Sequence, residues 1–381
     1  MMSPVLYLLF LLLTLLAEKA EGGDESGRAK LPVFFMHGIN DGAGSGGSLE
    51  HCIKEAFPGT EWMALNIAEG NESYQNVMDQ VRTMKDRIQK KAAEDPENFK
   101  NGYNLVCHSQ GAVICRALVS TWSEHQVQTF VSLAGPQMGV EGYGQGVLKS
   151  LPGWALSLGT EVFYTPPMQR QASFANYWKD VNMYSRYQMF SSALAVINNE
   201  APAHRCEGGF LKCHGTPGVS CAFDYETVSC QLKVDQQRPE KLWNLNPEMK
   251  TNFQKLRHAV FLGSKDDGAI IPWQSTVWGY WSRAVTESGE AVAEATAEAG
   301  EVSSIARRRL EETSVGQSHH APWSMRPWNE TDVAVSGLVP LKAMDSEGKL
   351  HIRSVDGVGH TDWLHGKGCE VMKEWWGDLL S

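Results

Sequence analysis

The sequence predicts an α/β protein, with a mainly parallel sheet that carries helices on both faces. Short, continuously apolar segments alternate with longer segments whose apolar residues recur at helical spacing. Continuous apolar runs are typical of strands buried on both faces, and their alternation with helices implies crossovers between parallel strands. Of the 381 residues, 42% are hydrophobic and 20% are charged, which excludes a disordered or coiled-coil chain.

The predicted elements follow one another along the chain, and two side-chain expectations accompany them. Ser48 is expected to cap the first helix, and Trp375 and Trp376 are expected to pack inward from the last. The predicted strands are 31–36, 62–67, 103–107, 129–133, 258–262 and 350–353, and the predicted helices are 48–56, 77–93, 112–121 and 370–380.

The alternation stops between residues 137 and 257, a segment rich in Gly, Pro, Tyr, Trp and Met. We interpret 137–257 as a cap inserted into a single domain that spans residues 31–380. A second insertion, rich in Ala and Glu, is expected at 282–318. The cap itself contains a cysteine-rich insertion at 206–230. The length therefore fits one α/β core with a cap and two insertions.

The cysteine-rich insertion holds four of the eight cysteines. Their spacing does not match the paired ligands of a zinc site, so local disulfides are the favoured interpretation and no metal is expected. Zinc stays open as the alternative, because His204 and His214 lie nearby.

The N-terminal residues predict entry into the secretory pathway. Residues 5–17 are apolar and rich in Leu, too short for a membrane span of about 20 residues, and a polar stretch follows at once. This pattern is typical of a signal peptide over residues 1–22, with cleavage somewhere in 17–22; an uncleaved anchor is the alternative. The mature protein is expected in the lysosome or outside the cell, without a membrane span.

Two further features bear on compartment and partners. Asn71 and Asn329 each begin an Asn-x-Ser/Thr sequence, the acceptor for N-glycosylation. The net charge of −10 argues against nucleic acid as a partner, since there is no basic excess to neutralise phosphates.

The chemistry-bearing motif is a strand, a sharp turn and a helix with Ser109 at the apex of the turn. The segment reads Tyr103-Asn104-Leu105-Val106-Cys107-His108-Ser109-Gln110-Gly111. It is similar to the Gly-x-Ser-x-Gly nucleophile elbow, with Cys107 in place of the first glycine and Gly111 as the second. A serine that merely caps the helix is the alternative. The motif predicts a nucleophilic serine.

A serine hydroxyl needs a base to remove its proton and a third group to orient that base. In this type of fold the partners follow in the order Ser, acid, His. Asp267 follows the strand 258–262, and His360 follows the last strand, so both are expected at the carboxyl edge of the sheet. The alternatives are Asp266 and Asp356 for the acid and His365 for the base. His108 should point away from the apex and is expected to be structural.

The oxyanion formed by nucleophilic attack needs two fixed hydrogen-bond donors. The backbone N–H of Gln110, at the start of the helix after Ser109, is one candidate because the helix dipole also favours negative charge there. The backbone N–H of Ile39, in the loop after the first strand, is the other.

Cys107 and Cys115 flank the turn, one at the end of the strand and one on the helix that folds back along it. A disulfide between them would brace the turn. The alternative, a nucleophilic Cys107, is disfavoured because Cys107 faces the junction of strand and helix. Cys52 and Cys369 remain, and they either pair or stay free.

Taken together, the motifs resemble those of the palmitoyl-protein thioesterases, lysosomal α/β-hydrolases that remove long acyl chains from protein cysteines. The resemblance covers residues 31–380 and is closest to the type-2 branch of the family. The segments that carry it are 37–38, 58–60, 107–111, 135–139, 176–178, 266–273 and 359–361. The resemblance implies an α/β-hydrolase fold, the triad Ser109, Asp267 and His360, and oxyanion donors at Ile39 and Gln110.

The resemblance also implies an activity. It is hydrolysis of a long-chain acyl thioester, such as an S-palmitoyl cysteine or palmitoyl-CoA, through an acyl-enzyme on Ser109, with no cofactor and in a monomer. The alternatives are an oxygen-ester lipase or carboxylesterase with the same triad, and an inactive hydrolase-like binding protein. The two insertions are departures from the family. A set of apolar cap residues is a candidate lining for an acyl channel, although packing in the core of the cap is the favoured interpretation for each one taken alone. They are Met138, Trp154, Phe163, Tyr164, Met168, Phe174, Trp178, Met189, Phe190, Leu194 and Ile197.

Overall fold

The computed structural model describes residues 30–142, 160–201, 247–283 and 323–380, together with the backbone of four short strands between residues 205 and 233. The predicted signal peptide lies outside these residues, and so does most of the Ala/Glu-rich insertion. The side chains of the cysteine-rich insertion lie outside them as well. Within the described residues, no helix has the length and hydropathy of a membrane span.

The centre of the fold is a six-stranded sheet in which every neighbouring pair of strands is parallel. Its spatial order is β2-β1-β3-β4-β5-β6. The strands are β1 Val33–Met36, β2 Trp62–Ala64, β3 Tyr103–His108, β4 Val127–Leu133, β5 His258–Gly263 and β6 Leu350–Ser354. This confirms the predicted α/β class.

Short antiparallel ladders accompany the main sheet. Tyr280–Arg283 pairs with Trp323–Arg326, on either side of the Ala/Glu-rich insertion. In the cysteine-rich insertion the backbone forms two more ladders, Arg205–Cys206 with Cys213–His214 and Ser220–Asp224 with Ser229–Lys233.

Helical segments of different lengths connect the strands. Five of them are labelled α1 Gly47–Ala56, α2 Val77–Glu94, α3 Gln110–Thr121, α4 Pro247–Gln254 and α5 Gly366–Val371. The short α-helical turns are Pro96–Phe99, Pro166–Gln171, Ser173–Asn176, Tyr184–Phe190, Leu194–Ile197, Asp332–Val335 and Leu341–Ser346. The 3-10 turns are Ala43–Gly46, Gly70–Tyr74, Thr160–Tyr164, Val181–Met183, Trp273–Val277, Trp328–Glu330, Asp362–Leu364 and Gly377–Leu380, and Met372–Trp376 is π-helical.

The sheet divides the core into two apolar layers because successive strand residues point to opposite faces. In β1, Phe34 and Met36 pack on one face and Val33 and Phe35 on the other. Helices α2 and α3 cover the first face, while α1 and α5 cover the second. A strand enclosed on both sides must be apolar throughout, which explains why β1 shows no polar alternation.

The structure corrects two expectations about helix ends. Helix α1 begins at Gly47 with Gly46 in the cap position, because a 3-10 turn leads straight into it; Ser48 is exposed and is not the cap. Trp376 is buried, but Trp375 is 38% exposed and lies against the guanidinium of Arg353. Adjacent helical residues point in different directions, so both tryptophans could not face inward.

A disulfide joins Cys52 on α1 to Cys369 on α5, which resolves the choice left open by the sequence. It ties the closing helix to the first helix on the same face of the sheet.

Two histidines lie side by side where β5 and β6 begin. Nδ1 of His258 is 3.1 Å from Nε2 of His351, and both rings are half-buried. Burial, followed by the neighbouring charges of His351 and Arg257, lowers the pKa of His258 to about 4. Burial and Arg353 lower the pKa of His351 as well. The folded protein therefore resists protonation of this pair.

Stability is expected to fall on acidification because of this pair. As the pH drops from about 6.5 towards 4, the unfolded chain binds protons that the folded protein does not, so unfolding becomes easier across that window. After allowance for solvent screening at half-exposed rings, the expected cost at pH 5 is about 1 kcal/mol. Urea unfolding of wild type and His258→Asn at pH 7.5 and pH 5.0 measures it, and the variant should lose less stability between the two values.

The matched control is His51→Asn, a change to an exposed histidine on α1. It should leave the pH dependence as in wild type. If His258→Asn shifted the free energy of unfolding equally at both pH values, the pair would have no part in acid sensitivity.

Candidate active site

Ser109 occupies a sharp turn between β3, which ends at His108, and α3, which begins at Gln110. Its backbone has φ 54° and ψ −126°, a conformation that non-glycine residues rarely adopt and that persists only where the surrounding fold enforces it. Helix α3 starts two residues earlier than the sequence indicates, and Ser109 is therefore its N-cap residue. This is the geometry of a nucleophile elbow.

The elbow requires a glycine at position 111 because helix and strand pass closely there. A Cβ at Gly111 would lie 2.3 Å from the carbonyl oxygen of His37 and 2.5 Å from that of Met36. Backbone atoms cannot yield as a flexible side chain can, so any larger residue would displace α3 from β1. The second glycine of the motif thus has a steric cause.

Three side chains from the carboxyl ends of three strands form a hydrogen-bonded chain. Nε2 of His360 lies 2.9 Å from Oγ of Ser109, and Nδ1 of His360 lies 2.8 Å from Oδ2 of Asp267. Ser109 follows β3, Asp267 follows β5 and His360 follows β6. The structure therefore brings together the three residues that the sequence singled out.

Asp267 is held as a carboxylate. Burial raises its pKa, but the hydrogen bond and charge of His360 outweigh burial, and backbone N–H groups of Ile270 and Ala269 add to them, so the pKa lies below its usual range. These N–H groups donate to Oδ1 at 2.9 and 2.8 Å, which leaves Oδ2 for His360. A fixed carboxylate of this kind can orient the imidazole and stabilise its charged form.

The alternative acids and base point elsewhere. Oδ2 of Asp266 accepts the N–H of Gly357 at 2.6 Å, and Asp356 forms an exposed ion pair with Lys265 at 3.0 Å. His365 is exposed and precedes α5. The geometry thus distinguishes residues that sequence order alone left in competition.

His108 is buried behind the elbow and supports the loop that carries His360. Its Nε2 lies 2.8 Å from the backbone carbonyl oxygen of His360, and the two rings are 4.9 Å apart between centroids. Burial and, after it, the charge of His360 lower the pKa of His108 to about 3. A neutral ring can donate from Nε2 to that carbonyl, so the contact persists in acid.

The predicted oxyanion donors, the backbone N–H groups of Gln110 and Ile39, belong to the two segments that flank Ser109. Gln110 is the first residue of α3, so its N–H has no acceptor within the helix. Gly38, just before Ile39, lies directly against Ser109: a Cβ there would be 3.0 Å from Cβ and 3.5 Å from Oγ of Ser109. The absence of a side chain at position 38 keeps the space beside Oγ open.

A disulfide joins Cys107 to Cys115, and both residues are fully buried. It links the end of β3 to the second turn of α3, on either side of Ser109. Because its sulfur is bonded to that of Cys115, Cys107 has no free thiol to act as a nucleophile.

The side chains that hold the segments around Ser109 carry no recognisable signal of this role in the sequence. Ser73 contacts both oxyanion segments through the N–H of Asn40 and the side chain of Gln110, and the hydroxyl of Tyr177 donates to Gln110. The one sequence signal at Ser73 is its place in the Asn71 acceptor sequence, which indicates glycosylation and nothing about the loops.

Both predicted glycosylation positions are accessible. Asn71 and Asn329 are exposed, while the hydroxyl residues of the two acceptor sequences, Ser73 and Thr331, are buried. Occupancy at either position stays a prediction.

A buried ion pair belongs to a hydrogen-bonded network that reaches helix α3. Nζ of Lys179 lies 2.7 Å from Oε1 of Glu200, with both side chains almost fully buried. Oε2 of Glu200 accepts a hydrogen bond from Asn198, which in turn accepts one from Arg116 on α3. Burial raises the pKa of Glu200, yet the charge of Lys179 and the hydrogen bonds together hold it below its usual range. The segment that contains Lys179 and Glu200 is thus joined to α3, the helix that follows Ser109.

Most of the expected channel residues are buried in the apolar layer on the α3 face. Phe163 makes edge contacts with Phe174 and Trp178, and Tyr74 contacts Phe174. Trp154 lies outside the described residues. In the described ranges, no three His, Cys, Asp or Glu side chains converge as a metal site requires.

The family model described as palmitoyl protein thioesterase matches residues 32–360. The chain belongs to the palmitoyl protein thioesterase family. The human protein named lysosomal thioesterase PPT2 is 30% identical over 250 residues, covering 66% of this chain and 68% of that protein. This confirms the resemblance to the type-2 branch. The Caenorhabditis elegans palmitoyl-protein thioesterase 1 is 24% identical over 341 residues, covering 86% of each chain.

Among solved structures, the monoacylglycerol lipase of Paleococcus ferrophilus aligns over 91% of this chain and 94% of its own, at 10% identity and a TM-score of 0.37. Membership of the thioesterase family and the parallel sheet together agree with an α/β-hydrolase fold, and they make this chain a thioester hydrolase by family.

Proposed function

We propose that this family member is a serine hydrolase that cleaves long-chain acyl thioesters through an acyl-enzyme on Ser109. The observation that carries the proposal is the hydrogen-bonded chain from Ser109 through His360 to Asp267, set at a strained elbow. Such a chain serves a nucleophilic serine and has no evident use in a binding protein.

In the acylation step, Nε2 of His360 takes the proton of Ser109 while Oγ attacks the thioester carbonyl carbon. The carbonyl oxygen becomes an oxyanion, which the N–H groups of Ile39 and Gln110 stabilise. The C–S bond then breaks, and the sulfur leaves as a thiol with the proton from His360. Because a thiol has a pKa of about 8.5, the sulfur departs with little need of that proton.

In the deacylation step, a water molecule gives a proton to His360 and attacks the acyl carbon on Ser109. A second oxyanion forms at the same place, the bond to Oγ breaks, and Ser109 regains its proton from His360. The products are a free fatty acid and the regenerated enzyme. Asp267 stays ionised throughout and stabilises the imidazolium.

The long acyl chain is part of the proposal on two grounds. The family is described as acting on palmitoyl proteins, and the human relative is named a lysosomal thioesterase. Phe163, Phe174 and Trp178 belong to the same apolar cluster as the α3 face of the sheet, and an acyl chain would pack against apolar side chains of this region.

We extend the proposal to maturation and location. The disulfides Cys52–Cys369 and Cys107–Cys115 fit a protein that folds in the secretory pathway. We infer that residues 1–22 act as a signal peptide, that Asn71 and Asn329 carry glycans, and that the mature enzyme works as a monomer in the lysosome or outside the cell.

The test compares two peptides that differ in one atom, an S-palmitoyl cysteine and an O-palmitoyl serine in the same sequence. The value of kcat/KM is expected to be at least about tenfold higher for the thioester, equal to about 1.4 kcal/mol of transition-state stabilisation. Replacing palmitoyl by acetyl in the thioester should reduce kcat/KM, because the apolar contacts are lost.

Each outcome decides the substrate class. A preference for the oxygen ester would replace the thioesterase proposal by a lipase or carboxylesterase. Absence of turnover with both peptides would favour a binding protein. Ser109→Ala is the control for contaminating esterase.

A further inference from the structure

Ser73 lies in the 3-10 turn Gly70–Tyr74 and is 1% exposed. Its hydroxyl oxygen accepts the backbone N–H of Asn40 at 2.6 Å and donates to the carbonyl oxygen of Gly70 at 2.5 Å. Its own carbonyl oxygen accepts Nε2 of Gln110 at 2.7 Å. One buried residue therefore contacts two loops that are 70 positions apart in the sequence.

These two loops are the ones that carry the proposed oxyanion donors. Asn40 directly follows Ile39, so the bond from its N–H to Ser73 fixes the peptide plane on the C-terminal side of the first donor. Asn40 has φ 54°, in the left-handed region that few residues adopt without local support. The Ser73 hydroxyl supplies that support.

The second donor is held through its side chain. Gln110 is 1% exposed, and while its Nε2 donates to Ser73, its Oε1 accepts the hydroxyl of Tyr177 at 3.1 Å. The carbonyl oxygen of Ser73 is in turn fixed by Nε2 of Gln80 on α2, at 2.9 Å. A rigid helix, α2, thus sets the position of Ser73, and Ser73 sets both loops.

We propose that Ser73 is a positioning residue for the oxyanion hole. It touches neither substrate nor Ser109; it sets the distance between the N–H groups of Ile39 and Gln110. Oxyanion donors act only when they are fixed before the charge develops, and small displacements of catalytic groups are costly. This inference rests on the proposed function, in which both N–H groups stabilise the oxyanion.

The test uses three variants. Ser73→Ala removes the hydroxyl and also the Asn71 acceptor sequence; Ser73→Thr keeps both; Asn71→Gln removes the acceptor sequence alone. We expect kcat of Ser73→Ala to fall about 10- to 100-fold, less than complete loss of a donor, with KM nearly unchanged. The other two variants should stay close to wild type. Circular dichroism measures the folded fraction of each variant, and rates are expressed per folded molecule.

Two inhibitors separate positioning from packing. A palmitoyl trifluoromethyl ketone forms an oxyanion with Ser109, and its affinity for Ser73→Ala should fall by about the factor lost in kcat. A palmitoyl thioether forms no oxyanion, and its affinity should be unchanged. A loss of stability without these changes would indicate a structural role only.

The proposal is overturned if kcat per folded molecule of Ser73→Ala stays within threefold of wild type, or if Asn71→Gln falls equally. Should Ser73→Ala not fold, Ser73→Cys applies the same criterion, since sulfur fills the site but accepts hydrogen bonds weakly. All rates are measured on the thioester and the oxygen-ester peptide. If the wild-type protein hydrolyses only the oxygen ester, the proposed substrate class is wrong. The role of Ser73 is then tested with the oxygen ester, because its hydrolysis also forms an oxyanion.

Discussion

Replacing Ser109 by alanine is expected to abolish turnover of palmitoyl-CoA while the protein stays folded. Removal of a serine nucleophile from a triad costs about 10⁶-fold in kcat, because the remaining residues cannot form the acyl-enzyme. The side chain of Ser109 contributes one hydrogen bond, to His360, so the free energy of unfolding should change by about 1 kcal/mol or less. Thiol release followed with a chromogenic reagent measures turnover, and urea unfolding measures stability.

The matched control is Ser48→Ala, a change to an exposed serine on α1 that should leave both quantities unaltered. If turnover by Ser109→Ala were within tenfold of wild type, Ser109 would not be the nucleophile, and the triad of Ser109, Asp267 and His360 would be wrong.

Asp267→Asn is the second large effect that we expect, with kcat lowered about 10³- to 10⁴-fold. The amide oxygen of asparagine can still accept the N–H groups of Ile270 and Ala269. The amide N–H of the introduced asparagine would then donate to Nδ1 of His360 and favour the tautomer with the proton on Nε2. A protonated Nε2 cannot accept the proton of Ser109. Steady-state kinetics on palmitoyl-CoA measure the loss.

The adjacent aspartate is an unusually close control. Asp266→Asn changes the same functional group one residue away, and its amide oxygen can still accept the N–H of Gly357. We expect kcat within about threefold of wild type, since surface changes away from the site have small effects. If Asp266→Asn lost activity and Asp267→Asn kept it, the acid would be Asp266.

The ionisation of Asp267 also has a consequence for pH. Its folded pKa lies below its unfolded value, so the carboxylate contributes stability above the unfolded pKa, and that contribution is lost as the pH falls through the folded pKa. As the pH falls, Asp267 therefore remains charged and hydrogen-bonded to His360 until its lowered pKa is reached. The histidine pair at the start of β5 and β6 also loses stability on acidification, but at higher pH, between about 6.5 and 4.

The six strands of the main sheet and the position of Ser109 were predictable because they depend on short-range patterns. A short apolar run favours a buried strand in an α/β chain, and a tight strand–turn–helix leaves one position for the apical residue. The antiparallel strands Tyr280–Arg283 and Trp323–Arg326 were not predicted, because they pair across a long segment of sequence. Chain order then indicated Asp267 and His360, and the structure places both beside Ser109. Their catalytic roles stay predictions until the variants are measured.

Several features could not be predicted because they depend on side chains that are distant in sequence. The burial of Trp376 and the exposure of Trp375 follow from how the last helical turns lie on the sheet. The pairing of Cys52 with Cys369 needs α1 and α5 on the same face. From the sequence, Lys179 and Glu200 would be expected at the surface, because charged side chains are rarely buried. Their burial is explained by the ion pair that they form with each other.

The sequence by itself predicted the chain order of the six strands of the main sheet, the residue at the apex of the elbow and a short set of candidates for the acid and the base, since these follow from local apolar patterns and connectivity. Tertiary structure decided which of two neighbouring aspartates meets His360, and it gave Ser73 its place between the loops of Asn40 and Gln110. The physical reason is that a hydrogen bond depends on distance and direction within tenths of an ångström. That precision arises only when the sheet and helices have packed.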